Sequence, residues 1–366
     1  MLLDSCNCSR WFVALACLLL ATSNARGEEP ALSRIAFGAC AKQDKPQPIW
    51  EAVVEMQPEA FLFLGDNIYG DTDDMQVLKA KWEQLGAQPG YQKLKATCPI
   101  LATWDDHDYG RNDAGADYPL RRESQQIFLD FFEVPQDDAR RQQEGVYSAR
   151  IFGPEGKRVQ IILLDARYHR SPLKRSTKSA EPGEGYRGIY AENTDEGATM
   201  LGPAQWKWLE EQLRKPAEVR IIGSGVQVIA YENGWETWGN FPKERERLFR
   251  LIRDTRASGV VLLSGDRHLS EISRLAADDP LGVGYPLIDI TSTSLNAPSG
   301  NMTKSGVRFA NELNRYRVGL TYFDINFGAV QIDWSEADPT LRLQIREASG
   351  QVVLQQRLKL SELQAK

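Results

Sequence analysis

The sequence predicts an α/β layered domain that ends in an antiparallel ribbon, and three observations carry that reading. Strand-like apolar runs alternate with helix-like runs from residue 33 to residue 264. Two helical runs open on prolines, Pro203 and Pro242, at first-turn positions where a missing N–H is harmless. From Arg317 to Leu360 the pattern switches to strand alternation, with turns expected at Gly328, Asp338 and Gly350.

Taken in order, Ser33–Phe37, Ala60–Leu64, Pro99–Thr103, Val159–Asp165, Val219–Gly223 and Val260–Ser264 read as strands. Between them Pro48–Met56, Met75–Leu85, Leu120–Phe132, Pro203–Arg214 and Pro242–Arg256 carry helical spacing. Residues 171–200 have no period, and such a segment is either a lid over a site or a passive surface loop. The chain has 366 residues, 42% hydrophobic and 26% charged. That is a globular composition, and its length fits either two domains or one large α/β domain. No repeat, heptad or Pro-rich linker divides it.

Residues 11–21 form the one long apolar run, too short to span a bilayer comfortably. Arg10 precedes it, and Ser23-Asn24-Ala25 supplies small residues for cleavage. Residues 1–25 therefore read as a secretory signal peptide and 26–366 as the mature chain, periplasmic or secreted, with no transmembrane anchor. Cys6, Cys8 and Cys17 leave with the signal, and Cys40 and Cys98 remain. In an oxidising compartment the two either pair or have separate jobs. A net charge of -6 excludes a general nucleic-acid binder.

Each early strand runs directly into polar residues. The first leads to Gly38-Ala39-Cys40, the second to Gly65-Asp66-Asn67-Ile68-Tyr69, the third to Trp104-Asp105-Asp106-His107-Asp108-Tyr109-Gly110. A later strand leads to Gly265-Asp266-Arg267-His268. The carboxyl ends of strands line the crevice of α/β sheets, so these residues are expected to meet. Converging carboxylates repel unless a cation neutralises them. With three histidines in the chain, an imidazole-only metal site is excluded, and oxygen ligands point to hard cations. A thiol and a phenol add donors suited to a trivalent or transition metal. Two ions bridged by a carboxylate clamp a phosphoryl oxygen and lower the pKa of bound water.

At these residues the chain resembles the calcineurin-like metallophosphoesterases, and within them the alkaline phosphatase D (PhoD-like) family. Gly65-Asp66 matches that superfamily's GD motif, and Asp106-His107-Asp108 stands where NH(D/E) is usual. Gly265-Asp266-Arg267-His268 stands for GHxH, and Cys40 occupies the place of the opening DxH. Tyr69, three after Asp66, has the spacing of the iron-binding tyrosine of purple acid phosphatases. Trp104–Tyr109 with Asn112-Asp113 resembles WDDHDYGxND, and Leu164–Arg170 resembles LDxRxxR. Thr199–Gly202 before Gln205-Trp206, and Trp238–Pro242 with Glu244-Arg245, match two further stretches. Typical members carry an additional N-terminal β-domain that is not seen here, and no covering C-terminal helix is evident.

The resemblance implies a four-layer αββα sandwich and an exported alkaline phosphatase that hydrolyses phosphate esters with metal-activated water. Phosphodiesterase or phospholipase-like action on diesters is the alternative, followed by a non-catalytic metal- or phosphate-binding protein. It implies Fe3+ with one or two Ca2+ ions. Cys40, Asp66, Tyr69 and His268 fall on the iron side, Asp66 as the bridge, and Asp106 and Asp266 on the calcium side. A further superfamily ligand, a histidine, is missing, and Gln227 or Ser224 is the candidate stand-in. His107 is the expected acid/base, its pKa raised by Asp106 and Asp108. Asp108 and Arg167 join it as catalytic candidates. Arg167 and Arg170, with Asn112, are candidates for phosphate contact, against a surface ion pair for the arginines. Trp235 and Trp238 line the site or pack in the core. The protein is expected to act as a monomer on a phosphate ester.

Overall fold

The computed structural model describes residues 1, 29–177, 188–299 and 312–365. The expected signal segment thus lies outside the described residues except for Met1, as does the middle of 171–200. Strands β1 (Arg34–Gly38), β2 (Ala60–Leu64) and β3 (Ile100–Thr103) run parallel. They are joined through helices α1 (Ile49–Glu55), α2 (Met75–Gly86) and α3 (Pro89–Thr97). A single turn, α4 (Asp106–Tyr109), and helix α5 (Arg121–Phe131) follow. The chain then forms the hairpin β4 (Ser148–Phe152) and β5 (Val159–Leu163). A small ribbon pairs β6 (Lys174–Arg175) with β7 (Tyr190–Ala191).

Helix α6 (Gly202–Leu213), strand β8 (Val219–Ser224), helix α7 (Pro242–Asp254) and strand β9 (Val260–Ser264) complete the alternating part. Strands β10 (Ser270–Leu275), β11 (Leu287–Thr291), β12 (Arg317–Tyr322), β13 (Asn326–Asp333), β14 (Thr340–Glu347) and β15 (Val352–Lys359) close the chain. The result is two large mixed sheets, ordered β15-β14-β13-β1-β2-β3 and β12-β10-β11-β9-β8-β5-β4.

Period-two alternation explains the layering. Ile35, Phe37, Ala60, Leu62 and Leu64 belong to one core cluster, shared with Ile161, Leu163 and Val261 of the second sheet. The alternate residues Ala36, Phe61 and Phe63 belong to another, shared with Trp50, Trp82, Leu94 and Phe128 of the helices. Trp206, Leu209, Leu248 and Ile252 of α6 and α7 pack against the second sheet. This is the four-layer αββα sandwich. Each fully buried Phe or Leu contributes about 1.5–3 kcal/mol, so these clusters hold the strand ends that carry the site.

The expected ribbon splits. Strands β13–β15 extend the first sheet beyond β1 as an antiparallel meander, whereas β12 pairs with β10 in the second sheet. Gly328, expected at a turn, lies inside β13 opposite Phe37. A Cβ there would sit 2.0 Å from the Phe37 ring, so glycine admits an aromatic rather than making a turn. Helix α3 and strands β4, β10 and β11 were not evident as periodic runs. Helix α3 buries only Tyr91 and Leu94, and β4 is half-exposed and carries Arg150.

Candidate metal centre and active site

The segments that leave the carboxyl ends of β1, β2, β3 and β9 converge, as the sequence predicts. The tight turn after β2 depends on Gly65 at φ +106°, where a Cβ would lie 2.4 Å from the Cβ of Asp105. Cys40, Asp66, Asp266 and His268 all have positive φ, between 50° and 68°. Such backbone is costly for residues other than glycine and persists where surrounding structure enforces it, a pattern typical of functional sites.

Donor atoms of Cys40, Asp66 and His268 lie within 4.8 Å of one another, as do those of Asp105, Asp106 and Asp266. Asp66, Asp106 and His107 form a third such group. The Cys40 Sγ lies 3.5 Å from Asp66 Oδ2, and the Tyr69 hydroxyl lies 3.4 Å from His268 Nε2. His268 is oriented through Nδ1, which bonds the Ala297 carbonyl and leaves Nε2 facing the cluster. Burial, with a backbone bond opposing it, brings the His268 pKa down to about 4, so its imidazole is neutral and able to ligate.

The electrostatics call for a cation. Burial, then Asp106, Asp108 and Asp266, push Asp66 well above the usual carboxylate range. Cys40 is raised by burial, then by Asp66 and Asp266, and Tyr69 by burial, then by Cys40 and Asp66. Burial lifts Asp266 to about 7. Asp66 Oδ1 and Asp105 Oδ2 are buried without a hydrogen-bond partner. Orphaned buried oxygens, a thiol, a phenol and a neutral imidazole in one cluster fit metal ions chemically.

His107 lies beside this cluster. Its Nδ1 is 2.7 Å from Asp71 Oδ1, and its ring stacks against Tyr69 with centroids 4.3 Å apart. Burial lowers its pKa, but the bond to Asp71 and the charge of Asp106 outweigh that and raise it to about 9. The raised pKa agrees with the expectation, but the main partner is Asp71 and not Asp108.

Asp108 departs from its expected catalytic part. Fully buried, it accepts from the backbone N–H groups of Asp66, Asn67 and Asp105 and from the Asn67 side chain. It ties the β2 and β3 loops together.

Arg167 and Arg170 are also corrected. Both are buried, at 0% and 1% exposure. Arg167 bonds Asp105 at 2.5 Å and Glu236 at 2.7 Å, and Arg170 meets Glu236 at 3.0 Å. Their guanidinium groups meet buried carboxylates, so they form no surface ion pair. Gln227 uses its amide on Glu271, Thr291 and Asn233, so its side chain is committed away from ligation. Ser224 is buried and accepts from Trp238, which packs in the core against Trp206. Asn112 is exposed, next to Asp113, whose carboxylate accepts from Tyr190 at the base of the 171–200 segment. Cys40 and Cys98 are both free thiols.

Sequence reasoning missed Glu236, which joins Asp106 and Asp113 in a further acidic group, and Asp71. A lone carboxylate inside Gly234-Trp235-Glu236-Thr237-Trp238 was the available signal for the first. Asp71, directly after the Asp66–Gly70 turn, gave none.

Several known proteins are similar to this chain. Alkaline phosphatase D of Bacillus subtilis (strain 168) is 22% identical over 222 residues, 56% of this chain. That match spans 37% of the relative's own length. A solved structure described as that of PhoD superposes with a TM-score of 0.64 at 16% identity, covering 90% of this chain and 72% of its own. A second, GAP50, the anchor in the inner membrane complex of Plasmodium, gives 0.53 at 14% identity, covering 92% and 90%. A PhoD-like phosphatase profile matches residues 35–343. The chain belongs to the PhoD-like phosphatase family.

Proposed function

We propose that this protein is an exported, metal-dependent phosphoesterase. One observation carries the reading: Asp66, Asp106 and Asp266 meet Cys40, Tyr69 and His268 in a buried cluster with orphaned carboxylate oxygens. Cys40, Asp66, Tyr69 and His268 would hold Fe3+, and Asp106 and Asp266 would hold Ca2+, with Asp66 shared. Bound there, such ions polarise phosphoryl oxygens and acidify a water.

The chain's own groups do the rest. Asp71 holds Nδ1 of His107, leaving Nε2 as the donor to the departing ester oxygen. Arg167 neutralises Asp105 and fixes the β3 loop, and Asp108 fixes the β2 loop against it. Export rests on the signal-like residues 1–25. Among the described residues no helix is long and apolar enough to cross a membrane.

The test is hydrolysis of nitrophenyl phosphate and bis(nitrophenyl) phosphate by protein loaded with iron and calcium. Turnover of neither would leave a non-catalytic binding protein. Asp66→Asn should lose both metal and turnover. Tyr69→Phe should lose a visible charge-transfer band.

A further inference from the structure

Beside any bound metal ions, a phosphoryl group is held by positive side chains, and both arginine candidates, Arg167 and Arg170, already meet buried carboxylates. That leaves the question of which positive group faces the site. Lys42 follows Cys40 by two residues and is half-buried. Its ammonium lies 4.8 Å from the centroid of the Tyr69 ring, the ring on which His107 also stacks. It forms no ion pair among the described residues.

The neighbouring cation, Lys81, is tied down by the carbonyls of Tyr69 and Gly70, at 3.0 and 2.6 Å. Lys42 has no such tether. Its backbone, by contrast, is pinned. The N–H donates to Asn296 Oδ1 at 2.6 Å, and the carbonyl accepts from Asn296 Nδ2 and Gln47 Nε2. A fixed Cα with an uncommitted side chain presents a point charge on a flexible four-carbon stem. Lys42 and His107 thus meet on one tyrosine ring at the edge of the acidic cluster.

We propose that Lys42 reads the charge of the phosphoryl group and makes the site selective for dianionic phosphate monoesters over monoanionic diesters. This rests on the phosphoesterase reading. Above a phosphate pKa of about 6, a monoester carries one more charge than a diester. The attraction of an ammonium a few ångströms away therefore favours the monoester. The effect is on binding, since the charge is present before reaction, and appears in KM more than in kcat.

The experiment compares Lys42→Met, Lys42→Arg and the unaltered, metal-loaded protein at about pH 8, where a monoester is dianionic. Lys42→Met should lower kcat/KM for nitrophenyl phosphate about tenfold, or about 1.4 kcal/mol, mainly through KM. Bis(nitrophenyl) phosphate should change by less than about twofold, since its charge is smaller. Lys42→Arg should restore most of the loss. Inorganic phosphate, titrated calorimetrically, should bind Lys42→Met about tenfold more weakly. An equal loss on both esters, or phosphate affinity unchanged in Lys42→Met, overturns the proposal while leaving the enzyme reading intact. Hydrolysis of neither ester by the unaltered protein overturns the enzyme reading and this proposal with it.

Discussion

Replacing Arg167 by Met separates a buried structural cation from a substrate contact. Arg167 is fully buried, and its guanidinium meets Asp105 at 2.5 Å, Glu236 at 2.7 Å and Asp106 at 3.9 Å. Met fills similar volume but leaves these carboxylates without their counter-charge. Breaking a buried pair by removing one partner costs about 3–5 kcal/mol. In a chain of this size each kcal/mol lowers Tm by about 1.4 °C, so the midpoint should fall by about 4–7 °C. Thermal and urea unfolding, followed by tryptophan fluorescence, measure it. Arg167→Lys keeps the charge but loses the fork, and should fall between the two. A Tm unchanged in Arg167→Met, with KM raised and kcat intact, would refute the reasoning and return Arg167 to the substrate.

Three further outcomes follow from the same geometry. Asp108→Ala strips the acceptor from three backbone N–H groups and the Asn67 amide, and should cost about 3 kcal/mol or more in urea unfolding; loss of rate at full stability would contradict the clamp. In metal-free protein the His107 ring should titrate near 9, and Asp71→Asn should bring it down, read from imidazole proton shifts in a chain with only three histidines. Because the folded pKa lies above the unfolded one, His107 contributes stability fully below about 6.5. That contribution is lost as pH rises through about 9, and the slope should flatten in Asp71→Asn. Gly328→Ala forces a methyl into the Phe37 ring and should destabilise the sheet by about 1–3 kcal/mol; wild-type stability would show that the ring has room to move.

How much was legible follows the range of each interaction. Cys40, Asp66, Asp106 and Asp266 could be picked out because each follows an apolar strand, and strand direction alone carries them to a common edge. The buried setting of Arg167 was not legible because sequence displays its charge but not its burial. Its partners stand 62 and 69 residues away, on other loops. The clamp made by Asp108 needs Asn67, 41 residues earlier, and is likewise invisible to local reading. Gly328 was misplaced by treating glycine as punctuation, when a ring on the neighbouring strand requires it.

The positive φ angles at Cys40, Asp66, Asp266 and His268 set backbone preference against ligand chemistry. At such positions glycine is the residue the backbone itself favours, with asparagine next. A descendant freed from holding metal would gain stability by drifting to glycine at these four places. This chain carries sulfur, carboxylate and imidazole at these four places instead, so each donor group is held at a cost in backbone energy.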